Sequence, residues 1–254
     1  MAIIVKTAQC DAMHSSILNV ECSYSRGFSG LQIIGNASEV CKNGLERAKS
    51  ALEKSNIRLS EKKTIISLSP AEIRKDGSHF DLPIAIALAM ISSKQDAKID
   101  FGQWLFSAEL GLSGILRPVK GIISFALSAL SEGLDGIVIA KQNYSEVAAI
   151  QNLQKETPRP FKVLAFSSLG EVLNWIFSSD ASQKSPFFPP DGDVKTPVSE
   201  LSSTAMNFDD MILPKDLEKV AVTCAAGMHS VLINGSPGVG KSMFLSRLPS
   251  ILPK

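Results

Sequence analysis

The chain has no cysteine pairs of the kind that hold zinc. Its four cysteines, at positions 10, 22, 41 and 224, show no C-x-x-C spacing. The nearest metal-like pattern is Cys10 with His14, and no second ligand pair accompanies it; four-ligand sites advertise paired spacings. Nothing argues for disulfides either, so a reducing cytosol is the expected compartment. Long hydrophobic runs are also missing. The longest, Leu82 to Ile91, falls well short of the about 20 residues that span a bilayer. The start, MAIIVKTAQCD, lacks a basic region followed by an apolar core, so no signal peptide is read there. A soluble, cytoplasmic protein with no membrane partner is expected. Charge of one sign is absent too: 26 Lys+Arg face 25 Asp+Glu, a formal net of +1. That balance removes the crude electrostatic argument for nucleic-acid or membrane binding, and leaves only local patches.

What is present is globular. A 44% hydrophobic and 20% charged composition over 254 residues excludes wholesale disorder and allows one large domain or two modest ones. Residues 1–180 alternate strand-like and helix-like segments. Leu31–Gly35 and Thr64–Leu68 are short and β-branched, which reads as strand. Between them, Ser38 to Ser55 puts Val40, Cys41, Leu45, Ala48 and Leu52 on one helical stripe, with Ser38 as N-cap. Asp81 can cap a second helix from Leu82 to Ser92, with Pro83 in its tolerant first turn. Trp104–Leu110 and Ile115–Val119 flank Gly111-Leu112-Ser113-Gly114, a hairpin signal. There follow a helix from Ile122 to Glu132 stopped by Gly133, a strand at Gly136–Ala140, a helix near Ser145–Leu153, a strand at Lys162–Phe166 and a helix to Phe177. Hairpins mixed with crossover helices predict an α/β domain with a mixed sheet.

From 181 to 207 the pattern breaks into prolines, serines and aspartates, which reads as a linker containing Phe187 and Phe188. Beyond it, 208–254 holds a helix from Leu217 to Ala226 with Gly227 as its stop. Ser230–Asn234 then reads as a buried strand leading into a glycine loop, followed by an amphipathic helix from Met243 to Leu252. The loop, Gly235-Ser236-Pro237-Gly238-Val239-Gly240-Lys241-Ser242, fits GxxxxGK[ST] without a gap. Its glycines let backbone N–H groups curl around a polyphosphate, and the following helix aims its positive end at the same place. Lys241 supplies charge for the β/γ oxygens of ATP, and the Ser242 hydroxyl is placed to ligate Mg²⁺. Chance produces this string in roughly one chain in a hundred of this size. Here it also sits between a strand pattern and a helix pattern, as the chemistry requires.

Several strings carry a family resemblance. GFSGLQIIG, TIISLSPAEIRKDGSHFDLPIAIALA, AELGLSGILRPVKGIISFALSA and AAGMHSVLINGSPGVGKS resemble the ComM/YifB-type magnesium-chelatase-like AAA+ ATPases. The resemblance covers nearly the whole chain except the linker. It implies a Lon-protease-like α/β domain over 1–180, then the opening of an AAA+ P-loop motor. It implies, too, ATP-driven branch migration on DNA during natural transformation, performed by a homo-oligomeric ring. Two departures stand out: Gly35-Asn36-Ala37-Ser38 replaces the family's GLPD, and Leu213-Pro214 stands where a Gly-Gln pair is usual. A motor of this type also needs further strands and a later acidic residue. The sequence therefore reads as the front portion of a longer ATPase, without hydrolysis of its own.

The Lon likeness raises the question of peptidase chemistry. The resemblance places a Lon-type nucleophile after Lys75-Asp76-Gly77-Ser78, on His79, and its lysine partner after Pro118-Val119-Lys120-Gly121, on Ile123. Neither residue is the required serine or lysine, so no catalytic residue is assigned. Neighbours such as Ser78 and His79 point apart on a regular backbone and make poor partners. His79 reads as a packing or surface histidine. Arg74, Lys75, Arg117 and Lys120 form one basic patch if the two strings adjoin, and such a patch suits DNA phosphates. The rival to the DNA motor is an assembly or docking protein whose motor portion is idle. Limited proteolysis tests the domain reading: the first cuts should fall within 181–207, and early cleavage spread evenly through 1–180 would refute it.

Overall fold

The computed structural model describes residues 2–11, 14–93, 95–148, 150, 160–177, 207–236 and 238–252. The linker reading, with Phe187 and Phe188, lies outside these residues except for Asn207. The chain divides into two compact units, 1–194 and 195–254.

The first unit is built on a seven-stranded mixed sheet of order β3-β4-β2-β1-β5-β8-β9. It opens with a long antiparallel hairpin, β1 (Ile3–Asp11) with β2 (His14–Ser25). In β2, Leu18, Val20 and Cys22 point inward and alternate with Asn19, Glu21 and Ser23, the period-2 signature of a half-buried strand. Next come β3 (Gly30–Ile34), helix α1 (Glu39–Lys54) and β4 (Lys63–Ser69), which pairs parallel to β3 and antiparallel to β2. After α2 (Asp81–Ser92), β5 (Trp104–Ser107) enters the sheet parallel to β1. The predicted long hairpin is thereby split: β5 joins the sheet, and only β6 (Glu109–Leu110) pairs with β7 (Leu116–Arg117). The chain closes through α3 (Ile122–Ser131), β8 (Gly136–Ala140), the short α4 (Tyr144–Val147), β9 (Lys162–Phe166) and α5 (Leu169–Phe177). The strands β5, β8 and β9 run parallel and are buried on both faces, as crossover topology demands.

Helices cover the two faces of the sheet unequally. One core joins α1, α2 and α5 to Val5, Val20, Ile66 and Phe106. The other joins α3 and α4 to Ala8, Leu105, Ile137 and Ile139. Ser38 does cap α1, accepting from Cys41 N at 3.4 Å. Val40 is a correction: it is 45% exposed, off the stripe that buries Cys41, Leu45, Ala48 and Leu52. Asp81 is a second. It caps nothing, because a 3-10 turn, Ser78–Phe80, already leads into α2.

Asp81 instead lies fully buried where α1, α2 and β6 meet. Its carboxylate accepts from Arg47 Nε at 2.6 Å, from a second Arg47 nitrogen at 2.9 Å and from Leu110 N at 3.1 Å. Gly44, inside α1, makes room: a β-carbon there would stand 2.3 Å from Asp81 Oδ1. A mid-helix glycine costs roughly 1 kcal/mol against alanine, and here the approach of the carboxylate requires it. Burial pushes the Asp81 pKa up more than the Arg47 hydrogen bond pulls it down.

The second unit holds α6 (Lys215–Gly227), the glycine loop and α7 (Lys241–Arg247), followed by a 3-10 turn, Leu248–Ile251. Two expectations are corrected. Helix α6 runs through Gly227, and Met228 takes the left-handed conformation after it (φ 53°). Residues 230–234 pair with no strand among those described, and Leu232 is 95% exposed rather than buried. An apolar β-run stays a lone segment unless neighbouring strands accept its backbone hydrogen bonds. Phe244 is buried, its ring 5.6 Å from that of Phe208, and anchors α7.

Removing one partner of a buried pair leaves an uncompensated charge. Arg47→Ala should therefore lower the unfolding free energy by about 3 kcal/mol at neutral pH, measured by urea denaturation. Because the folded Asp81 pKa is raised, the deficit should be smallest near pH 4. It should grow as pH rises through the folded value.

Candidate functional site

Two places in the chain carry chemistry, one in each unit, and each is described within its own unit.

In the second unit the glycine loop precedes α7. Gly238 and Gly240 adopt φ of 86° and 84°, a region that β-carbons disfavour. Gly240 is the N-cap of α7, and no side chain caps that helix. Lys241 Nζ folds back and donates to Gly235 O at 2.7 Å and Ser236 O at 2.6 Å. The amine is thus held at the bowl of its own loop. Gly235, Ser236, Gly238, Val239 and Ser242 are exposed, Gly240 and Lys241 half-buried. Pro237 lies outside the described residues. An open, positive-φ glycine loop with an inward lysine fits the phosphates of a nucleotide, and the exposed Ser242 hydroxyl fits a phosphate-bound Mg²⁺.

In the first unit the two Lon-like strings do meet. They form a cleft of about 430 Å³ with the end of β1. Gln9 and Cys10 form one side, Gly77, Ser78 and His79 another, and Pro118, Val119 and Lys120 a third. Side-chain hydrogen bonds hold these segments. Asp76 N donates to Gln9 Oε1 at 3.2 Å. The buried Asn143 accepts from Val119 N at 2.9 Å and donates to Val119 O at 3.0 Å, pairing with that loop as a strand would. Nothing in the sequence marked Gln9 or Asn143, since amides pairing with distant backbone leave no local spacing.

The residue brought against His79 is Phe125, with ring centroids 5.1 Å apart, not Ile123, which is 47% exposed. A helix turns 100° per residue, so Ile123 and Phe125 stand on nearly opposite faces of α3. His79 is only 7% exposed and also contacts the Phe80 ring at 4.3 Å, so of the two readings packing is correct. Burial pushes its pKa down to about 4, with the Ala8 backbone and the Asp76 charge pulling the other way.

The basic patch is smaller than expected. Arg74, Arg117 and Lys120 are exposed, and Arg117 meets Glu109 at 3.4 Å. Lys75 is fully buried and donates its amine to the Pro70 carbonyl. Its backbone explains why: Lys75 N bonds Asn36 O at 3.1 Å and Lys75 O accepts from Ser38 N at 2.9 Å, which turns the side chain inward. Burial lowers the Lys75 pKa. Among the described residues no cluster of three or more His, Cys, Asp or Glu could hold a metal, and no helix is long and apolar enough to cross a membrane.

Comparison with known proteins accords with this layout. Residues 20–143 match the family described as "Subunit ChlI of Mg-chelatase", and residues 208–254 match "Magnesium chelatase, subunit ChlI". The chain is 28% identical over 254 residues to the competence protein ComM of Haemophilus influenzae, covering all of this chain and 47% of that one. It is 32% identical over 251 residues to the Escherichia coli protein YifB, covering 98% of this chain and 46% of that one. The chain thus spans about half the length of these relatives. A Lon protease of Mycoplasma mycoides is 28% identical over 171 residues, 65% of this chain and 21% of that protein.

A histidine buried neutral stabilises the fold only while it stays neutral. Its folded pKa, about 4, lies below the ordinary 6.5, so this stability is full above pH 6.5 and drains away as pH falls toward 4. By linkage the loss approaches about 3 kcal/mol. Urea midpoints should show a steeper acid decline in the native chain than in His79→Leu across that window.

Proposed function

We propose, for a chain that belongs to the ComM/YifB-type magnesium-chelatase-like ATPase family, that it binds Mg²⁺-ATP through 235–242 as part of a motor acting on DNA. The observation that carries the reading is the fold of the glycine loop onto Lys241. An ammonium held, among the described residues, by its own loop carbonyls is poised to exchange them for β/γ phosphate oxygens, a stronger charge-assisted contact. Gly238 and Gly240 would bring backbone N–H groups up to the phosphates. Ser242 would take a coordination position on Mg²⁺. The nucleotide, when bound, supplies the energy of phosphoryl transfer.

The likeness to a competence protein supports recombination, in the form of branch migration, as the work the motor does. A homo-oligomeric ring is the assembly this reading requires. The first unit is then a non-proteolytic, Lon-like accessory domain: its facing positions are an imidazole and a phenyl ring, so neither the serine nor the lysine of a Lon-type dyad stands there. DNA contact by that unit would fall to Arg74, Arg117 and Lys120, without Lys75. The reading as a docking protein with an idle motor is favoured by the unpaired segment at 230–234, and the same experiment separates the two.

Binding of a fluorescent ATP analogue with Mg²⁺ should saturate, and Lys241→Ala should weaken it at least about ten-fold by removing one charge-assisted contact. Anisotropy of a labelled branched duplex should rise with the protein and fall with added salt. Arg74→Ala should flatten that salt dependence by about one phosphate contact. Nucleotide binding that ignores Lys241→Ala would sink the motor reading and leave the docking role.

A further inference from the structure

We propose that β3 and the outer side of α1 form a docking edge for a second copy of this chain, joined about a twofold axis so that the two sheets run on into one another. β3 is the end strand of its sheet and pairs only with β4. The N–H and C=O groups along its other side have no partner among the described residues. Natural edges of this kind are blunted by lysine, proline or a bulge. None of these is present here. Residues 27–38 hold no charged residue and no proline, and the register with β4 runs from Gly30 to Ile34 without a bulge.

The edge fits a copy of itself. Set antiparallel about Gln32, Leu31 of each strand falls opposite Ile33 of the other, and Gly30 falls opposite Ile34. Leu31 and Ile33 are half-buried against the first core, so a facing pair completes their cover. Ile34 is 45% exposed, and a β-carbon on Gly30 would meet nothing within 4 Å, which leaves room for the opposing isoleucine. Such cross-strand pairs are what stabilises a sheet. At the axis two exposed Gln32 side chains meet, and amides can exchange hydrogen bonds with one another.

Charge on α1 points to the same occupant. Glu39, Lys42, Glu46, Lys49 and Glu53 alternate in sign along one exposed stripe. At 100° per residue this stripe lies nearly opposite Gly44 and Arg47, which face Asp81 of α2. Glu46 and Lys49 accordingly share a groove with Ser29, Gly30 and Leu31 at the start of β3. Glu39 holds Lys42 at 2.7 Å, whereas Glu46, Lys49 and Glu53 form no ion pair among the described residues. A stripe of alternating sign is complementary to itself when reversed and displaced by one step, since each lysine then faces a glutamate. The twofold that joins the two β3 strands sets the two α1 helices antiparallel on one face, which is that reversal. A peptide of one charge sign would meet repulsion along half of the stripe, so a second copy fits better. The contact is isologous and closes at two copies. It is separate from a ring, and its failure leaves the nucleotide reading untouched.

The test is analytical ultracentrifugation of the full chain over a concentration series, with hydrogen exchange at residues 30–34 followed by mass spectrometry. A monomer–dimer equilibrium is expected, and exchange in β3 should slow as the dimer forms. Gln32→Lys sets two lysines against each other at the axis and should weaken association at least about ten-fold while the chain stays folded by circular dichroism. Charge complementation reads the stripe on α1. Lys42→Glu with Lys49→Glu makes it wholly acidic; Glu39→Lys, Glu46→Lys and Glu53→Lys together make it wholly basic. Each of these variants should stay monomeric where the native chain pairs, and an equimolar mixture of the two should pair. If a stripe variant fails to fold, Gln32→Lys alone decides. A native chain that is monomeric throughout, association and β3 exchange that ignore Gln32→Lys, or folded stripe variants that do not pair when mixed overturn the proposal. Slower exchange at 30–34 on adding an extended peptide to a monomeric chain would assign the edge to a peptide and overturn it as well.

Discussion

The buried pair between Arg47 and Asp81 is the constraint on which the first unit depends. Three hydrogen bonds converge on one carboxylate, and they come from α1 and from the strand that leaves the sheet after β5. Asp81 is also the first residue of α2, immediately after the turn that carries Ser78 and His79. Fixing the carboxylate therefore fixes where that turn stands against β1 and the 118–121 loop. Such a pair contributes little net stability against an apolar replacement of the same shape. Its value lies in register, since a carboxylate in a dry core accepts only one arrangement of its donors.

The cleft keeps its shape without relying on the side chains that face each other across it. The elements resemble those of a Lon-type protease, and the strings that would hold a nucleophile and its base are brought together. The facing side chains are His79 and Phe125, which pack as rings. Asn143 and Gln9 hold the walls through hydrogen bonds to the backbone, without reference to those two rings.

Much of this architecture was legible in the sequence, for local reasons. The strands at Gly136–Ala140 and Lys162–Phe166, the helices α1, α3 and α5, and the mixed α/β class all follow from period, caps and β-branching over a few residues. The glycine loop was legible because its pattern is written in consecutive residues, two of them positive-φ glycines. The opening hairpin was missed although Leu18, Val20 and Cys22 alternate cleanly with polar neighbours, a signal short enough to pass as loop. Asp81 was misread because a cap is a local event, whereas its true partner stands 34 residues away. Val40 failed by a small rotation about α1, whereas Ile123 stands on nearly the opposite face of α3 from Phe125. Segment 230–234 was misread as a buried strand, because an apolar composition cannot supply a neighbouring strand.

The withdrawal of Lys75 into the core alters what the solvent meets. The formal charge is +1, Arg47 and Asp81 cancel, and Lys75 keeps its amine against the Pro70 carbonyl. With 26 Lys+Arg against 25 Asp+Glu, the whole chain carries almost no net charge at neutral pH. A particle with so little net charge has little long-range repulsion to keep its copies apart, so its colloidal behaviour is governed by short-range contacts. Exposed apolar groups such as Phe28, Leu112 and Ile115 then weigh more heavily than they would on a charged protein. Solutions of this chain at neutral pH and low salt should sit close to their point of minimum solubility, and a modest shift of pH in either direction should disperse them.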